Sequence, residues 1–185
     1  VTLAPAGSGD MDLDPLEYVS APASLNVVTD AVPAQGTVNI HLRRTLGAPV
    51  SRVKLAFALK LPTVTLTKGA VAIATLDVSS NHFFSLFLRD ESASPGPSLE
   101  ETTANGTVRH PLTKLPPANA WTRVTIDLDL AAGKADVLYG SEKVLDQAAI
   151  VAGNGTEATA RIGAVYVLGP ADPFAASFDD VVLDY

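Results

Sequence analysis

Hydrophobic and polar residues alternate along much of the chain with a period of two. The alternation is clearest in residues 37–43, 53–61 and 123–130. In residues 123–130 every second position is apolar from the beginning of the segment to its end. Such a pattern turns one side of a strand toward a core and the other toward solvent. These segments are therefore predicted to be β-strands.

Shorter segments of the same kind fill the intervals between the three long ones. They are residues 71–77, 83–89, 107–112, 134–139, 161–168 and 177–185. Turn-forming stretches separate them, such as SASPGPS at 92–98 and AAGK at 131–134. Strands recurring about every 8–15 residues with turns between them predict an all-β antiparallel sandwich or barrel. Only residues 141–151 fit a helical turn or two.

The pattern predicts a single domain, residues 1–185. Neither an internal repeat nor a break in composition divides the chain. The opening residues, 1–15, are small, polar and proline-bearing, which favours a linker or a loose first strand over a signal peptide. A chain of this length buries roughly 70% of its unfolded surface, enough for a sizeable core.

Composition and charge exclude several classes of function. The net charge of −7 argues against a nucleic acid or an anionic membrane surface as the main partner. Because no apolar run approaches about 20 residues, no membrane span is predicted. The absence of cysteine excludes disulfides, thiolate metal sites and cysteine catalysis.

The C-terminal third carries a succession of segments that resembles a known superfamily. Trp121 begins WTRVTIDLDL, and the turn AAGK, the segment ADVLY, a second turn at Gly140-Ser141, RIGAVYVLG and ASFDDVVLDY follow. This order resembles the closing strands of concanavalin A-like jelly rolls, which include laminin-G and carbohydrate-binding modules. The resemblance implies a two-sheet antiparallel jelly-roll sandwich of about a dozen strands. One departure is that Tyr139 is followed by Gly140-Ser141, where laminin-G-like modules have Asp-Gly.

Lyases of this superfamily use a His with an Arg, an Asn or Gln, and a Tyr on one sheet. Asn39, His41 and Arg43 alternate along one segment, so they are predicted to share one side of a strand. We predict them as ligand-binding residues for a carboxylated sugar, because Arg binds carboxylates bidentately. The alternative is that they form the polar face of an outer strand.

Asp127 and Asp129 are interpreted as a solvated strand face, since the glycanase motif Glu-x-Asp-x-(x)-Glu is absent.

The resemblance also implies a structural calcium ion. Carbohydrate-binding modules of this fold often hold one between an N-terminal acidic residue and an Asp of the last strand. Asp12 or Asp14 would supply the first ligand, and Asp179 and Asp180 the second. Asp180 shares the parity of Phe178, which predicts that it points inward and needs a partner. That partner is either calcium or a basic side chain with backbone N–H groups, and the competing interpretation is a solvated acidic tail.

Aromatic residues, which stack on sugar rings, are scarce. They make up 6% of the chain with a single Trp. Trp121 is predicted to lie in the core, as it does in the superfamily. Tyr166 is also predicted to be buried, because it alternates with Ile162, Ala164 and Leu168. This scarcity counts against a strong polysaccharide binder.

Three hypotheses for function remain. The first is a non-catalytic extracellular binding or adhesion module whose ligand is a polysaccharide or glycoconjugate. The second is a structural surface domain without a ligand. The third is a polysaccharide lyase or hydrolase that uses His41, Arg43 and Asn39. A groove lined by these three residues with a Tyr nearby would favour the enzyme, and exposed aromatics without His would favour binding. All three hypotheses place the chain outside the cell, at its surface or in a periplasm.

Overall fold

Two antiparallel β-sheets face each other across a shared hydrophobic core. The computed structural model describes residues 9–62, 68–90 and 96–185. Within these ranges the chain forms thirteen strands and no helix. The strands are β1 (Gly9–Asp14), β2 (Ser24–Thr29), β3 (Thr37–Leu46), β4 (Arg52–Lys60), β5 (Gly69–Ser79), β6 (His82–Asp90), β7 (Ser98–Thr103), β8 (Gly106–Pro111), β9 (Thr122–Asp129), β10 (Lys134–Tyr139), β11 (Glu142–Ala149), β12 (Ala158–Leu168) and β13 (Phe174–Asp184). The predicted all-β, two-sheet antiparallel sandwich is confirmed.

The strand order places the last two strands in the interior of the sheets. One sheet has seven strands in the order β1-β2-β13-β4-β9-β10-β11. The other has six, in the order β3-β12-β5-β6-β7-β8. The prediction of helical turns within residues 141–151 is wrong, because this segment forms β11, which pairs with β10. Among the described residues, no helix is long and apolar enough to cross a membrane.

The period-two alternation accounts for the core. In β9, Val124, Ile126 and Leu128 are fully buried, and they pair with β4 so that Phe57 lies opposite Val124. The Phe57 ring packs against that of Phe178 from β13, with 5.8 Å between the centroids. Burying a side chain of this size contributes roughly 1.5–3 kcal/mol. Inward-facing residues of this kind from both sheets form the shared hydrophobic core.

A bulge in β12 reverses the predicted burial of Tyr166. The register of β12 against β5 shifts between Ile162 and Tyr166. Gly163 lies inside the bulge with φ of +130°, and a Cβ there would collide with the Ile40 carbonyl oxygen. The added residues change which face the following side chains occupy. Tyr166 consequently lies on the outer face, 39% exposed, and its predicted burial is wrong.

A second bulge, in β13, changes the orientation of the acidic pair Asp179 and Asp180. The register against β4 shifts between Asp179 and Val182, and Asp180 adopts φ of +48°. Asp179 is buried, whereas Asp180 and Val182 are exposed. The prediction that Asp180 points inward is therefore wrong, because the register is lost at this residue. Asp179 pairs with Ala58 on the face opposite Phe178 and is buried there by the Val19–Ser20 turn. Trp121, just before β9, is only partly buried, so its predicted core position is wrong as well.

The start of the chain contributes a strand at the edge of the seven-stranded sheet. Residues 9–14 form β1, which pairs with β2 in antiparallel register from Gly9 opposite Thr29 to Asp14 opposite Ser24. Residues 1–8 lie outside the described residues. The division into a single domain, 1–185, stays a prediction.

Candidate functional site

A groove of about 580 Å³ lies on the outer face of the six-stranded sheet. Its floor consists of side chains that face away from the core. The strand register arranges them in three rows across β12, β5, β6 and β7. The middle row contains Arg161, Thr75, Ser85 and Glu100. Of the rows on its two sides, the residues that line the groove are Asp77, Phe83 and Thr102 in one row, and Tyr166 and Phe87 in the other.

Aromatic rings stand toward both ends of the groove. Phe83 and Phe87 are four residues apart on β6, which corresponds to about 14 Å along the strand. Phe83 and Tyr166 are only partly buried. Phe87 belongs to a small apolar cluster on the same outer face, together with Ala70, Ala72 and Val165. The groove is thus longer than one sugar ring and offers ring faces along its length.

Charged side chains occupy the space between the rings. Arg161 binds Asp77 bidentately, with Nη1–Oδ1 and Nη2–Oδ2 distances of 2.8 and 2.6 Å. Arg89 binds Glu100 at 2.8 Å, and its guanidinium lies 4.4 Å from the centroid of the Phe87 ring. Glu157 also lines the groove, and no described side chain bonds to its carboxylate. The groove therefore presents hydrogen-bond acceptors and aromatic faces side by side.

The structure brings Asn39, His41 and Arg43 onto one side of β3, as predicted, but outside the lining of the groove. His41 pairs with Gly163 and Arg43 with Arg161, so the three residues lie one strand beyond the groove. Burial, aided by the Arg161 charge, lowers the pKa of His41 below its usual value. The imidazole is therefore neutral near pH 7. No described residue bonds to its buried Nδ1 atom.

The carboxylate of Asp179 accepts three hydrogen bonds from the turn that precedes β2. Oδ2 accepts the backbone N–H groups of Val19 and Ser20 at 2.7 and 2.8 Å. Oδ1 accepts the Ser20 hydroxyl at 2.9 Å and the Asp180 N–H at 2.7 Å. Burial alone would raise the pKa of Asp179, but these hydrogen bonds outweigh it and lower the pKa. Protein N–H groups are thus the partners of the buried carboxylate in the last strand.

The other predicted calcium ligands do not join Asp179 in one group. Asp12 is exposed on β1, and Asp14 accepts the backbone N–H groups of Leu16 and Glu17 with Oδ1. Among the described residues, no group of three or more His, Cys, Asp or Glu side chains is arranged to hold a metal ion. A calcium ion at Asp179 would have to displace protein donors, so these residues do not fit such a site as they stand. Calcium binding stays a prediction from the sequence alone, and the hydrogen bonds of Asp179 argue against it.

Sequence reasoning missed a buried acidic residue that joins the two sheets. Glu101 of β7 is 2% exposed, and its Oε1 atom lies 2.8 Å from Nε2 of His82. The same oxygen accepts the backbone N–H of Val151, which follows β11 of the opposite sheet, at 2.8 Å. The second oxygen lies 3.8 Å from Nε2 of His110. The parity of Glu101 with buried Leu99 was the available signal, but a charged residue at that position is ordinarily taken as outward-facing.

The two carboxylates of β9 face away from the core on the seven-stranded sheet. Arg52 binds Asp127 bidentately at 2.9 and 2.8 Å. Asp129 accepts the backbone N–H of Ala132 in the following turn. Both groups thus have structural partners on an outer strand face.

Comparison with known proteins shows the fold. No protein-family model matches the chain. No curated protein matches it in sequence. Among solved structures, it is similar to an endo-β-1,4-glucuronan lyase from the fungus Trichoderma reesei, with a TM-score of 0.69 and 12% identity over 98% of this chain and 89% of that one. It is also similar to the cellulose induced protein Cip1, with a TM-score of 0.65 and 12% identity over 96% of this chain and 86% of that one.

A third similar structure is the carbohydrate-binding module CBM66 from Bacillus subtilis. The TM-score is 0.50, with 9% identity over 98% of this chain and 97% of that one. These likenesses confirm the two-sheet antiparallel sandwich fold that the resemblance of the C-terminal third implies. At such low identities they show the fold alone.

Proposed function

We propose that the chain is a non-catalytic module that binds a polysaccharide or glycoconjugate in the groove of the six-stranded sheet. The observation that carries the proposal is the composition of the groove. Phe83 and Tyr166 present partly exposed rings, and Asp77, Glu100 and Glu157 present carboxylates between and beside them. Aromatic faces contribute stacking, and fixed carboxylates accept hydrogen bonds from sugar hydroxyls.

The groove suits an extended ligand better than a single sugar. Its aromatic rows are separated by about 14 Å, so two rings contact different sugar units of one chain. The Arg161–Asp77 pair holds both side chains in fixed orientations before a ligand arrives. Such preorganisation lowers the entropic cost of binding. We place this activity outside the cell, at its surface or in a periplasm, where polysaccharides are met.

The similar structures support a glycan as the ligand class. One is named a carbohydrate-binding module and another a glucuronan lyase, so sandwiches of this shape include both a binding module and a lyase. For this chain the choice between the two rests on the site. Asn39, His41 and Arg43 lie beyond the groove lining, which favours binding.

A polysaccharide lyase is the second candidate, favoured by one specific observation. Tyr166 is exposed in the groove on β12, and β12 adjoins the strand that carries Asn39, His41 and Arg43. A lyase needs a base to remove the proton beside a sugar carboxylate and a cation to hold that carboxylate. Arg161, the guanidinium that lines the groove, is already bonded to Asp77.

Glycan-array screening of the purified chain, followed by titration calorimetry with the best ligand, tests the proposal. Replacing Tyr166→Ala is expected to weaken binding about tenfold, since loss of one stacked ring costs about 1.4 kcal/mol. Tyr185→Ala is the matched control, because Tyr185 is exposed outside this groove. Unaltered affinity in Tyr166→Ala would contradict the proposal that the glycan binds in this groove. If no glycan binds, a structural domain without a ligand is favoured.

Catalysis is checked on the same preparation. The chain is incubated with polyuronates, and the unsaturated product of a lyase is followed by its ultraviolet absorbance. We expect none. Product that appears with the wild type and disappears in His41→Ala would replace the binding module with the lyase.

A further inference from the structure

Arg161, the guanidinium that lines the groove, and two arginines on the neighbouring strands β6 and β8 are already bonded within the protein. Arg161 is held by both oxygens of Asp77. Arg89 is bonded to Glu100 and lies over the Phe87 ring. Arg109 lies on β8 opposite Glu100 of β7, and it donates to the Gly96 carbonyl at 3.0 Å. The three cations thus stabilise the groove itself.

These internal bonds of the arginines matter because a sugar carboxylate is recognised by a cation that is free to bind it. Bidentate recognition requires both N–H edges of a guanidinium to face the ligand. Turning Arg161 to a ligand would leave Asp77, whose side chain is 17% exposed, with an unpaired charge beside an incoming carboxylate. Leaving a buried charge unpaired is unfavourable. A carboxylated ligand therefore gains little from Arg161.

The remaining charge of the groove is negative. Glu157 lines the groove and none of the described side chains bonds to its carboxylate. Arg43 is exposed on the neighbouring strand, one strand spacing beyond Arg161, which is about 4.8 Å farther from the groove. The whole chain carries a net charge of −7, so its long-range field also repels polyanions.

We infer that the groove selects uncharged glycans and discriminates against polyuronates. This inference rests on the proposed glycan-binding function and narrows its ligand class. It departs from the carboxylated sugar that Asn39, His41 and Arg43 suggested. The physical basis is the pairing of the groove's cations together with the uncompensated Glu157 carboxylate.

A matched pair of ligands tests the inference. The best neutral glycan from the array is compared with the same glycan after oxidation of its primary hydroxyls to carboxylates, so that only the charged group differs. In about 20 mM salt the oxidised form is expected to bind at least about threefold more weakly, the effect of one like charge about 6 Å away in water. In about 1 M salt, where the Debye length is about 3 Å, the difference is expected to shrink.

Two substitutions separate charge from shape. Glu157→Gln removes the uncompensated carboxylate and is expected to reduce the neutral-to-oxidised affinity ratio toward one. Asp77→Asn frees Arg161 and is expected to reduce it further, or to invert it. Glu142→Gln on β11, outside the groove, is the matched control and is expected to leave the ratio unchanged.

The outcomes distinguish the inference from the function on which it rests. If a neutral glycan binds and its oxidised form binds equally well or better, the inference fails while glycan binding stands. If the oxidised form binds more weakly but neither Glu157→Gln nor Asp77→Asn changes the ratio, the discrimination is steric and the inference also fails. If neither form of any glycan binds, the proposed function fails and the inference with it.

Discussion

Asp179 is expected to be one of the most consequential polar residues for stability. Its carboxylate receives four hydrogen bonds, three of them from the Val19–Ser20 turn, and the residue is 8% exposed. Asp179→Asn preserves the shape but turns an N–H₂ group toward backbone N–H donors. Because a hydrogen bond to a charged group contributes about 1.5–3 kcal/mol, we expect a loss of about 2–3 kcal/mol. Asp179→Ala loses all four bonds, and we expect about 3–4 kcal/mol.

Thermal denaturation followed by circular dichroism measures the effect. For a chain of this length, 1 kcal/mol corresponds to about 2–4 °C in Tm, so Asp179→Asn is expected to melt roughly 4–12 °C lower. Asp180→Asn is the matched control, since that side chain is exposed. A change in Tm equal to that of the control would refute the assigned role of the Asp179 hydrogen bonds.

The pH dependence of the same difference has a definite sign. The pKa of Asp179 is lowered in the folded chain from its ordinary value of 3.8. A carboxylate with a lowered folded pKa stabilises above the unfolded pKa, and this stabilisation is lost as the pH falls through the folded pKa. The difference between wild type and Asp179→Asn is therefore expected to be constant from about pH 5 to 8 and to shrink below pH 3.8.

Calcium is tested in the same assay. Saturation at about 100 times the dissociation constant would stabilise the fold by about 2.7 kcal/mol, several degrees in Tm. Because protein donors fill the Asp179 carboxylate, we expect equal midpoints with calcium and with chelator. A calcium-dependent rise that is lost in Asp179→Asn would instead establish the site predicted from Asp12, Asp14, Asp179 and Asp180.

Two further predictions concern the sheets. Glu101→Ala is expected to destabilise by about 3–5 kcal/mol in urea denaturation, because the His82 ring and the Val151 N–H lose a buried partner; an effect below about 1 kcal/mol would contradict this. Gly163→Ala is expected to cost about 2–4 kcal/mol, because its φ is +130° and the added Cβ would meet the Ile40 carbonyl. A variant as stable as the wild type would show that the β12 bulge relaxes freely.

Much of the fold could be predicted from the local alternation of hydrophobic and polar residues, which is visible in the sequence. The segments at 53–61 and 123–130 were expected as strands with one buried side, and Leu55 and Ile126 indeed face each other across β4 and β9. The two residues whose faces were predicted wrongly, Tyr166 and Asp180, both lie in or after bulges. Gly163 marks the first bulge in the sequence, but in the second a non-glycine residue, Asp180, takes the positive φ.

The site was less accessible than the fold, because it depends on which strands are neighbours. Asn39, His41 and Arg43 share one side of β3, as alternation predicts. The groove nevertheless centres on β5, β6 and β7, since β12 inserts between β3 and β5. That insertion joins segments more than 80 residues apart in the chain, such as Asp77 and Arg161. Local periodicity carries no information on such a pairing.

The interior positions of β12 and β13 also set the order in which the molecule can assemble. β2 bonds to β1 and β13 only, and β3 has β12 as its one strand neighbour in the described sheets. Until residues 158–184 are available, the first three strands therefore have no sheet to join. Loop-closure entropy makes such long-range pairing slow. While residues 158–184 are still inside the ribosome, the first three strands of a nascent chain are therefore expected to stay unfolded and sensitive to proteases, and both sheets are expected to close once these residues emerge.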